Sequence, residues 1–284
     1  MTVIYSSKFL DFGEVGHPES PQRLELIYHE LRDAGLFHFE TPSAATLSDL
    51  LRVHNMSLVE QVKRNEFYNP DTPNIENIYS FALLSAGAAL KAISLLEDGR
   101  EKRFTYALAR PPGHHATRKE LGGFCYFNNI AVASARLLAD GKKVAILDID
   151  VHHGNGTEDI FRGKKNIIYV SLHQSPLYPG TGLAQHDNCF NFPLPPGTSM
   201  DSYIEALSLG LRQIKKFSPD ILGVSLGFDT YAQDPLAEMR LYRSDYRIVA
   251  GMIKRLLLPT FFVQEGGYSQ DIGKLAKTFF SELI

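Results

Sequence analysis

Short apolar runs rich in β-branched residues alternate along the chain with longer segments in which apolar residues recur every three or four positions. The runs predict strands that are buried on both faces, and the periodic segments predict amphipathic helices. Strands are predicted at residues 3–5, 104–109, 144–147, 167–172, 221–226 and 260–263. Helices are predicted from 21 to 35, with gaps from 47 to 64, and at 75–96, 130–139, 203–217 and 245–257.

This alternation predicts an α/β fold, in which a single domain, residues 1–284, forms one mostly parallel β-sheet flanked by helices on both faces. The proline- and glycine-rich segment 174–199 is predicted to be a structured loop without a regular element. In open parallel sheets, ligands bind outside the carboxyl ends of the strands. We therefore expect the active site at that edge of the sheet.

The composition is that of an ordinary globular protein, with 284 residues, of which 44% are hydrophobic and 21% are charged. A formal net charge of −3 gives no general electrostatic reason to bind nucleic acid or an anionic membrane. Two cysteines are too few for a disulfide framework or a thiolate metal cluster. The first residues lack the apolar core of a signal peptide, and no apolar run is expected to span a bilayer. A reducing cytoplasm is the expected location.

Polar residues enter with a period of two where the predicted strand 144–147 ends. Asp148, Asp150 and His152 are therefore expected to point to the same side. Two carboxylates on one face of a buried strand are costly unless a cation compensates them. One such residue alone would be an ordinary solvated turn residue. Three potential ligands, followed by Gly154 and Gly156 that are expected to let the backbone turn sharply, favour a metal site.

Three residues that offer oxygen or nitrogen ligands follow two of the predicted strands, namely Asp150, His152 and Asp229. Three protein ligands with an open fourth position are typical of a catalytic zinc site. The oxygen-rich set would also accept iron(II) or cobalt(II). Because such a metal polarises a carbonyl and lowers the pKa of a bound water, the pattern indicates hydrolysis of an amide.

Amide hydrolysis also needs a base, an acid for the leaving amine and a hydrogen-bond donor for the oxyanion. His114, His115 and Tyr268 suit these roles, and each follows a predicted strand. Taken singly, the histidines fit a Pro-Gly turn and the tyrosine fits a glycine turn, so it is their shared position that favours catalysis. His54, between apolar neighbours, is expected to be a hydrogen-bonded core residue rather than a ligand.

Several motifs spread over nearly the whole chain resemble those of the zinc-dependent histone deacetylase family, which includes bacterial deacetylases and acetylpolyamine amidohydrolases. These motifs are His-Pro-Glu-Ser-Pro-Gln-Arg at 17–23, Arg-Pro-Pro-Gly-His-His-Ala at 110–116, Gly-Gly-Phe-Cys-Tyr-Phe-Asn-Asn at 122–129, Asp-Ile-Asp-Val-His-His-Gly-Asn-Gly at 148–156, Tyr-Pro-Gly-Thr-Gly at 178–182, Gly-Phe-Asp-Thr at 227–230 with Asp-Pro-Leu at 234–236, and Glu-Gly-Gly-Tyr at 265–268. The resemblance implies an arginase- and deacetylase-like fold, and zinc binding by the three ligands already named.

The resemblance also implies roles for the two histidines. His115 would be the general base and the acid for the amine, and His114 would hydrogen-bond the zinc-bound water. Asp148 would orient His114, and Asn155 would face His115. Many relatives carry aspartate where Asn155 stands, and because an amide cannot stabilise an imidazolium as a carboxylate does, His115 is expected to be the less basic histidine. Tyr268 would donate to the carbonyl oxygen as charge develops there.

The resemblance further implies a narrow tunnel for an acyl-lysine. Phe124 and Tyr178 would form its two aromatic walls, beside Gly123, although Phe124 could equally be a core residue. Asp71 would hold the substrate backbone at the rim, and Leu236 would also lie there. A structural potassium ion is expected as well, and its ligands would come from Asp148, Asp150, His152, Ser171 and Leu172.

The sequence thus predicts a metal-dependent amidohydrolase that removes an acetyl or other acyl group from the lysine side chain of a protein or peptide. An acetylpolyamine amidohydrolase stays open, with Asp11, Glu14, Asp71 and Glu120 as candidates to hold a second ammonium. Against it, a polyamine-selective relative has glutamate where Leu236 stands, and segment 65–75 lacks a long insertion. A silent acyl-lysine-binding module and a two-metal ureohydrolase are weaker alternatives. The oligomeric state is left open.

Overall fold

Eight strands form a single sheet in the computed structural model, which describes residues 1–284. The strands are β1 Thr2–Ile4, β2 His38–Glu40, β3 Phe104–Ala107, β4 Val144–Asp148, β5 Ile167–Gln174, β6 Cys189–Leu194, β7 Ile221–Leu226 and β8 Thr260–Gln264. They lie in the order β2-β1-β3-β8-β7-β4-β5-β6, and every neighbouring pair is parallel. The predicted parallel sheet is confirmed.

Nine α-helices connect and cover the strands. They are α1 Pro21–Ala34, α2 Leu47–Leu50, α3 Met56–Arg64, α4 Ile78–Glu97, α5 Asn129–Ala139, α6 Asn155–Phe161, α7 Met200–Phe217, α8 Arg243–Lys254 and α9 Ile272–Leu283, and a 3-10 helix spans Ser7–Leu10. Helix α4 packs on α5 and β3, whereas α9 packs on α1 and α8. The helices therefore cover both faces of the sheet, as the sequence predicts.

Local sequence signals fix several helix ends. Helix α1 begins with Pro21 and ends before Gly35, which adopts a left-handed conformation with φ 67°. Helix α2 has a reciprocal capping box between Thr46 and Asp49. The side chain of Asn128 accepts a hydrogen bond from the backbone of Ala131 and so caps α5.

The prediction of a loop without regular structure over 174–199 was wrong, because β6 lies within it. This strand is at the edge of the sheet and pairs only with β5. An edge strand tolerates Pro193, since one of its sides needs no ladder hydrogen bond. Strand β2 and helices α6 and α9 were not predicted from the sequence either. The last of these buries Phe279 and Phe280 against the rest of the core.

The expectation that no apolar run could span a bilayer was also wrong as stated. Helix α4 has 20 residues and is long and apolar enough to do so by length and composition alone. In the fold it packs on α5 and β3, and just over half of its most apolar stretch is buried, including Ala86, Ala89 and Ile93. Its apolar character therefore also serves the core of the α/β fold.

Candidate active site and metal centre

The predicted site residues follow four strands that are direct neighbours in the sheet, namely β3, β8, β7 and β4. All four are parallel, so their carboxyl ends meet at one edge. His114, His115, His152 and Tyr268 line the same cavity at that edge. Asp229 does not line the cavity itself, but its Oδ2 lies 3.3 Å from Nδ1 of His152, which does.

The three predicted metal ligands converge in the interior of the protein. Asp150, His152 and Asp229 each present one ligand atom, and these atoms lie within 4.8 Å of one another. His152 Nδ1 is 3.0 Å from Asp150 Oδ1 and 3.3 Å from Asp229 Oδ2. Both carboxylates are fully buried. One ion could therefore contact all three side chains.

The other carboxylate oxygens are held by backbone donors. Asp150 Oδ2 accepts from the backbone N–H of Gly266 at 2.7 Å, and Asp229 Oδ1 accepts from that of Val151 at 2.9 Å. Asp229 Oδ2, however, is buried without a hydrogen-bond partner. A buried carboxylate oxygen left without a donor is costly, so this atom fits the ligand set of a metal ion.

Glycines give the carboxylates the space that they need. A Cβ atom on Gly266 would lie 2.0 Å from Asp229 Oδ2, and one on Gly227 would lie 2.3 Å from Asp150 Oδ2. Neither distance is possible for a real side chain. The residues present at this edge thus fit a bound divalent cation both in their chemistry and in their packing.

Gly154 and Gly156 serve packing rather than a sharp turn, which corrects the expectation from the sequence. Gly154 has φ −76°, a conformation open to any residue. A Cβ there would lie 2.2 Å from Asp148 Oδ2, and one on Gly156 would lie 2.3 Å from the carbonyl oxygen of Ala116. The strand itself ends at Asp148, so the expected ligands Asp150 and His152 lie in the loop that follows β4.

The charges of the three ligands depend strongly on one another. Burial alone would raise the pKa of Asp150, but the neighbouring His114 and His152 lower it far below its ordinary value. Burial and the Asp150 carboxylate raise the pKa of Asp229 despite its contact with His152. The two buried carboxylates would therefore stabilise a cation at this position.

Two histidines side by side differ in their surroundings. His114 Nδ1 lies 3.1 Å from Asp148 Oδ2, which also accepts a hydrogen bond from Tyr169 at 3.0 Å. Burial would lower the pKa of His114, but Asp148, Asp150 and Glu265 outweigh it and raise the pKa to about 10. The Asp148 carboxylate therefore favours a protonated His114.

The second histidine is far less basic. His115 Nδ1 lies 2.8 Å from Asn155 Oδ1. Burial, followed by the charges of His114 and His152, lowers the pKa of His115 well below its ordinary value, and the hydrogen bond to Asn155 opposes this only in part. Two adjacent imidazoles thus have pKa values shifted in opposite directions, an arrangement typical of paired acid and base groups.

Tyr268 is held from several sides. Its backbone N–H donates to Asp234 Oδ2 at 2.7 Å, and the guanidinium carbon of Arg23 lies 4.7 Å from the centre of its ring. Burial raises the pKa of Tyr268 well above its ordinary value, although Arg23 opposes the shift. The phenol therefore stays protonated and can donate a hydrogen bond.

A cavity of about 250 Å³ leads from the surface to these groups. Phe124 and Tyr178 both line it, as do Gly123, Asp71 and Leu236. Tyr178 lies edge-on to His115, with ring centres 5.0 Å apart, and Phe124 lies edge-on to Tyr268 at 6.0 Å. The five residues expected at the tunnel therefore share one cavity.

Of the acidic residues considered for a second ammonium, only Asp71 lines this cavity. Glu14 lines an adjoining cleft that shares Asp71 with it. Neither Asp11 nor Glu120 lines the cavity or the cleft. The four candidates are therefore not brought together at one place.

The residues expected to hold potassium lie at the end of β4, in the loop that follows it and within β5. Asp148 is the register partner of Ser171, and Leu172 follows on β5. The backbone carbonyl oxygens of Asp150 and His152 accept no hydrogen bond from the chain. Carbonyl lone pairs that no donor of the chain occupies are available to a cation.

His54 lies apart from the site, as expected. Its Nδ1 lies 2.9 Å from the carbonyl oxygen of Thr117, and its Nε2 accepts from the backbone N–H of Asn128 at 2.9 Å. Burial lowers the pKa of His54 to about 4. It is therefore a neutral histidine that joins two segments of the core.

Sequence reasoning assigned no role to two buried charged residues near the site. Arg23 donates to the carbonyl oxygens of Gly267 at 2.6 Å and Glu265 at 2.5 Å, beneath the tyrosine turn. The side chain of Glu265 accepts from the backbone of Gly113 and His114, and burial raises its pKa to about 7. The available signal was that both residues lie within recognised motifs, at 17–23 and 265–268.

Possible metal ligands are buried beside paired acid and base groups at the carboxyl ends of the parallel strands. This arrangement is typical of a hydrolase that acts on a carbonyl compound. Residues 17–283 match the histone deacetylase domain. The chain therefore belongs to the histone deacetylase family, a family of deacetylases and amidohydrolases, which confirms the resemblance seen in the sequence.

Individual relatives support this assignment. An acetylpolyamine amidohydrolase of Burkholderia pseudomallei is 39% identical over 72% of this chain and 63% of its own length. A probable deacetylase of Archaeoglobus fulgidus is 35% identical over 90% of this chain and 77% of its own length. A crystal structure of acetylpolyamine aminohydrolase from Burkholderia pseudomallei superposes with a TM-score of 0.91 at 29% identity, covering 100% of this chain and 98% of that one.

Proposed function

We propose that the protein is a zinc-dependent deacylase that hydrolyses the side-chain amide of an acylated lysine in a peptide or protein, with residues 1–284 as one catalytic domain. The observation that carries this proposal is the narrow cavity itself. Phe124 and Tyr178 line it together with His114, His115 and the proposed metal ligand His152. An unbranched lysine stem fits such a passage, since its methylenes can pack between the rings.

When bound by Asp150, His152 and Asp229, zinc would polarise the amide carbonyl and lower the pKa of a water molecule in the site. Iron(II) or cobalt(II) would fit the same ligands. The protein supplies the proton transfers. His115, whose pKa burial lowers, can accept the proton of the attacking water, whereas Asp148 raises the pKa of His114 and holds its ring. His115 then returns a proton to the leaving amine.

The remaining charge develops on the carbonyl oxygen. Tyr268 is protonated at neutral pH and lines the cavity, so its hydroxyl can donate to that oxygen. Donors of this kind stabilise the transition state more than the ground state, and this difference accelerates the reaction. Leu236 would close the apolar side of the entrance, and Asp71 would accept from the substrate backbone at the rim.

A potassium ion is proposed next to the metal-ligand group, bound by backbone and side-chain oxygens of Asp148, Asp150, His152, Ser171 and Leu172. The support for it is that the carbonyl oxygens of Asp150 and His152 accept no hydrogen bond within the chain. A buried cation there would offset part of the negative charge of the carboxylates. The proposed location in the cytoplasm stays a prediction from the sequence.

Hydrolysis of an acetylated polyamine is the second candidate, because relatives at 33–40% identity carry that name. A polyamine substrate has a second ammonium that needs a carboxylate. Asp71 is the only acidic side chain lining the cavity beyond the metal-ligand group, and one of its oxygens already accepts a hydrogen bond from Gly123. Leu236 offers no charge at the entrance. These features favour the lysine side chain.

The test compares turnover of an acetyl-lysine peptide, acetylputrescine and acetylspermidine by the zinc-loaded protein. Asp229→Ala removes one proposed ligand, and Asp140→Ala is the matched control because Asp140 lies on the surface and pairs with Arg136. We expect peptide turnover that Asp229→Ala abolishes and Asp140→Ala retains. A polyamine preference would move the function to the second candidate. No turnover of any amide, including longer acyl-lysines, would favour a silent binding module.

A further inference from the structure

Phe124, one aromatic wall of the cavity, lies in an unusual turn. Gly123 and Phe124 both have left-handed backbone conformations, with φ 58° and 67°. Glycine adopts such a conformation freely, but a phenylalanine does so only where its surroundings hold it there. The position of the Phe124 ring therefore depends on the contacts that fix this turn.

Two neighbouring side chains from another part of the chain make those contacts. Asp71 Oδ1 accepts from the backbone N–H of Gly123 at 3.0 Å. Thr72 Oγ1 accepts from the backbone N–H of Phe124 at 2.9 Å and donates its own hydrogen to Asp71 Oδ1 at 2.8 Å. The hydroxyl of Thr72 thus joins the wall of the cavity to the carboxylate at its rim.

Thr72 is well placed for this task because it is almost completely buried, with 1% of its surface exposed. Asn69 Oδ1 accepts from the backbone of both Asp71 and Thr72, at 3.1 and 3.0 Å, and so holds the pair in place. With one oxygen of Asp71 occupied by Gly123 and Thr72, the direction of its second oxygen is set as well.

The turn also lies against the proposed base and the opposite wall. A Cβ on Gly123 would be 2.3 Å from Cδ2 of His115, and one on Gly122 would be 3.3 Å from the hydroxyl of Tyr178. A shift of the turn would therefore change the width of the cavity between its two aromatic rings.

We propose that Thr72 is a positioning residue for substrate binding, whose hydroxyl holds the Phe124 wall in its left-handed turn and aims the Asp71 carboxylate into the entrance. Thr72 does not itself line the cavity between the aromatic rings. This inference rests on the proposed function, since it concerns how the acylated amine is bound before hydrolysis. It assigns to Thr72 an effect on KM rather than on the chemical step.

Thr72→Val tests the inference, because valine keeps the branched shape and removes the hydroxyl. Thr72→Ser restores the hydroxyl without the methyl group. Thr260→Val is the matched control, since Thr260 is also 1% exposed and its hydroxyl donates one hydrogen bond to Leu258. Thr260 begins β8 and so lies at the amino ends of the strands, away from the site. Thermal unfolding of each variant is measured beside its kcat and KM for the acetyl-lysine peptide.

We expect Thr72→Val to raise KM about tenfold and to lower kcat by less than about threefold, since it removes one buried hydrogen bond to the wall. Thr72→Ser is expected to recover most of the wild-type KM, and Thr260→Val to keep it. An unchanged KM in Thr72→Val, or a loss confined to kcat, would overturn the inference. So would a folded Thr72→Ser protein with the KM of the valine variant.

Two further outcomes keep the inference separate from the proposed function. Wild-type protein without turnover of any acylated amine would overturn the proposed function itself. Normal wild-type turnover with no KM change in Thr72→Val would overturn only the role of Thr72. If the valine variant does not accumulate as folded protein, Thr72→Ala removes the same hydroxyl with a smaller side chain and is held to the same outcomes.

Discussion

His115 Nδ1 lies 2.8 Å from Oδ1 of Asn155, so its partner is a neutral amide. An aspartate at position 155 would place a negative charge there instead. Because an amide oxygen only accepts hydrogen bonds, Nδ1 must carry the hydrogen. Nε2 is then left free to take a proton. The asparagine thus fixes the tautomer of His115 without adding the negative charge that would raise its pKa.

Replacing Asn155 by Asp should therefore change the pH dependence of the reaction. A carboxylate beside Nδ1 favours the imidazolium, so the pKa of His115 should rise and the acid limb of the rate profile should move up by about one unit. The measurement is kcat/KM against pH for both proteins. An unchanged acid limb would show that the pairing does not control the base.

Tyr268→Phe removes the proposed donor to the carbonyl oxygen and leaves the ring in place. We expect kcat to fall by a factor on the order of 10² to 10³, as for other single oxyanion donors. The melting temperature should change little, because the ring keeps its contact with the guanidinium of Arg23 and the backbone N–H keeps its hydrogen bond to Asp234. Retention of most of the turnover would rule out this role.

Gly154→Ala should damage the site although the backbone conformation there suits alanine. The new methyl carbon would lie 2.2 Å from Asp148 Oδ2 and 3.1 Å from His114 Nδ1. Overpacking of this kind costs about 1 to 3 kcal/mol in stability. Activity should fall at least about tenfold, since the Asp148 and His114 pair must shift. Gly251→Ala separates this clash from the general effect of a glycine change, because Gly251 is not left-handed and its Cβ would come no closer than 3.6 Å to Glu282.

Removal of the metal should abolish activity reversibly. Asp229 Oδ2 makes no hydrogen bond within the chain, and its near neighbour His152 Nδ1, at 3.3 Å, is itself a proposed ligand of the ion. We expect dialysis against a chelator to remove turnover, and added zinc(II), iron(II) or cobalt(II) to restore it. Tightly bound metal in Asp229→Ala, measured by elemental analysis, would contradict the ligand assignment.

His54 should make the fold sensitive to mild acid. Its pKa falls from an ordinary 6.5 to about 4 because it is buried as a neutral ring. In the unfolded chain, His54 binds a proton below about pH 6.5, whereas in the folded chain it does so only below about pH 4. This contribution is therefore fully present above pH 6.5 and falls by about 3 kcal/mol as the pH drops to 4. Urea unfolding of wild type and His54→Gln at pH 7 and pH 4.5 measures it, and equal losses in both proteins would refute it.

The sequence predicted the residues of the candidate site better than the residues that surround and support it. Asp150, His152 and Asp229 could be predicted because two polar ligands within a buried segment and a third at a strand end are rare without a cation. Thr72 could not, since nothing in an Asp-Thr-Pro segment shows that its hydroxyl meets the backbone of Phe124, 52 residues away. Arg23 was hidden in the same way, because its carbonyl partner Gly267 lies 244 residues along the chain.

The fold was predictable where the hydrophobic pattern is strong and failed where it is weak. Strands β3, β4, β5, β7 and β8 are buried throughout, and each contains a mostly apolar run. The edge strand β6 alternates buried and partly exposed residues and contains Pro193, so its signal is close to that of a loop. The two-residue spacing of Asp148, Asp150 and His152 suggested a longer strand, but the pairing of β4 with β5 and β7 ends at Asp148.

The order of the strands also has a consequence for how the protein acquires its site during synthesis. Strand β8 comes last along the chain, yet it lies between β3 and β7 and carries the segment that ends in Tyr268. A nascent chain that stops short of β8 has two half-sheets with exposed edges and no closed cavity. Pairings of such long range form slowly, and open strand edges invite aggregation. The catalytic edge should therefore mature only after translation has passed residue 268, and incomplete chains should depend heavily on chaperones.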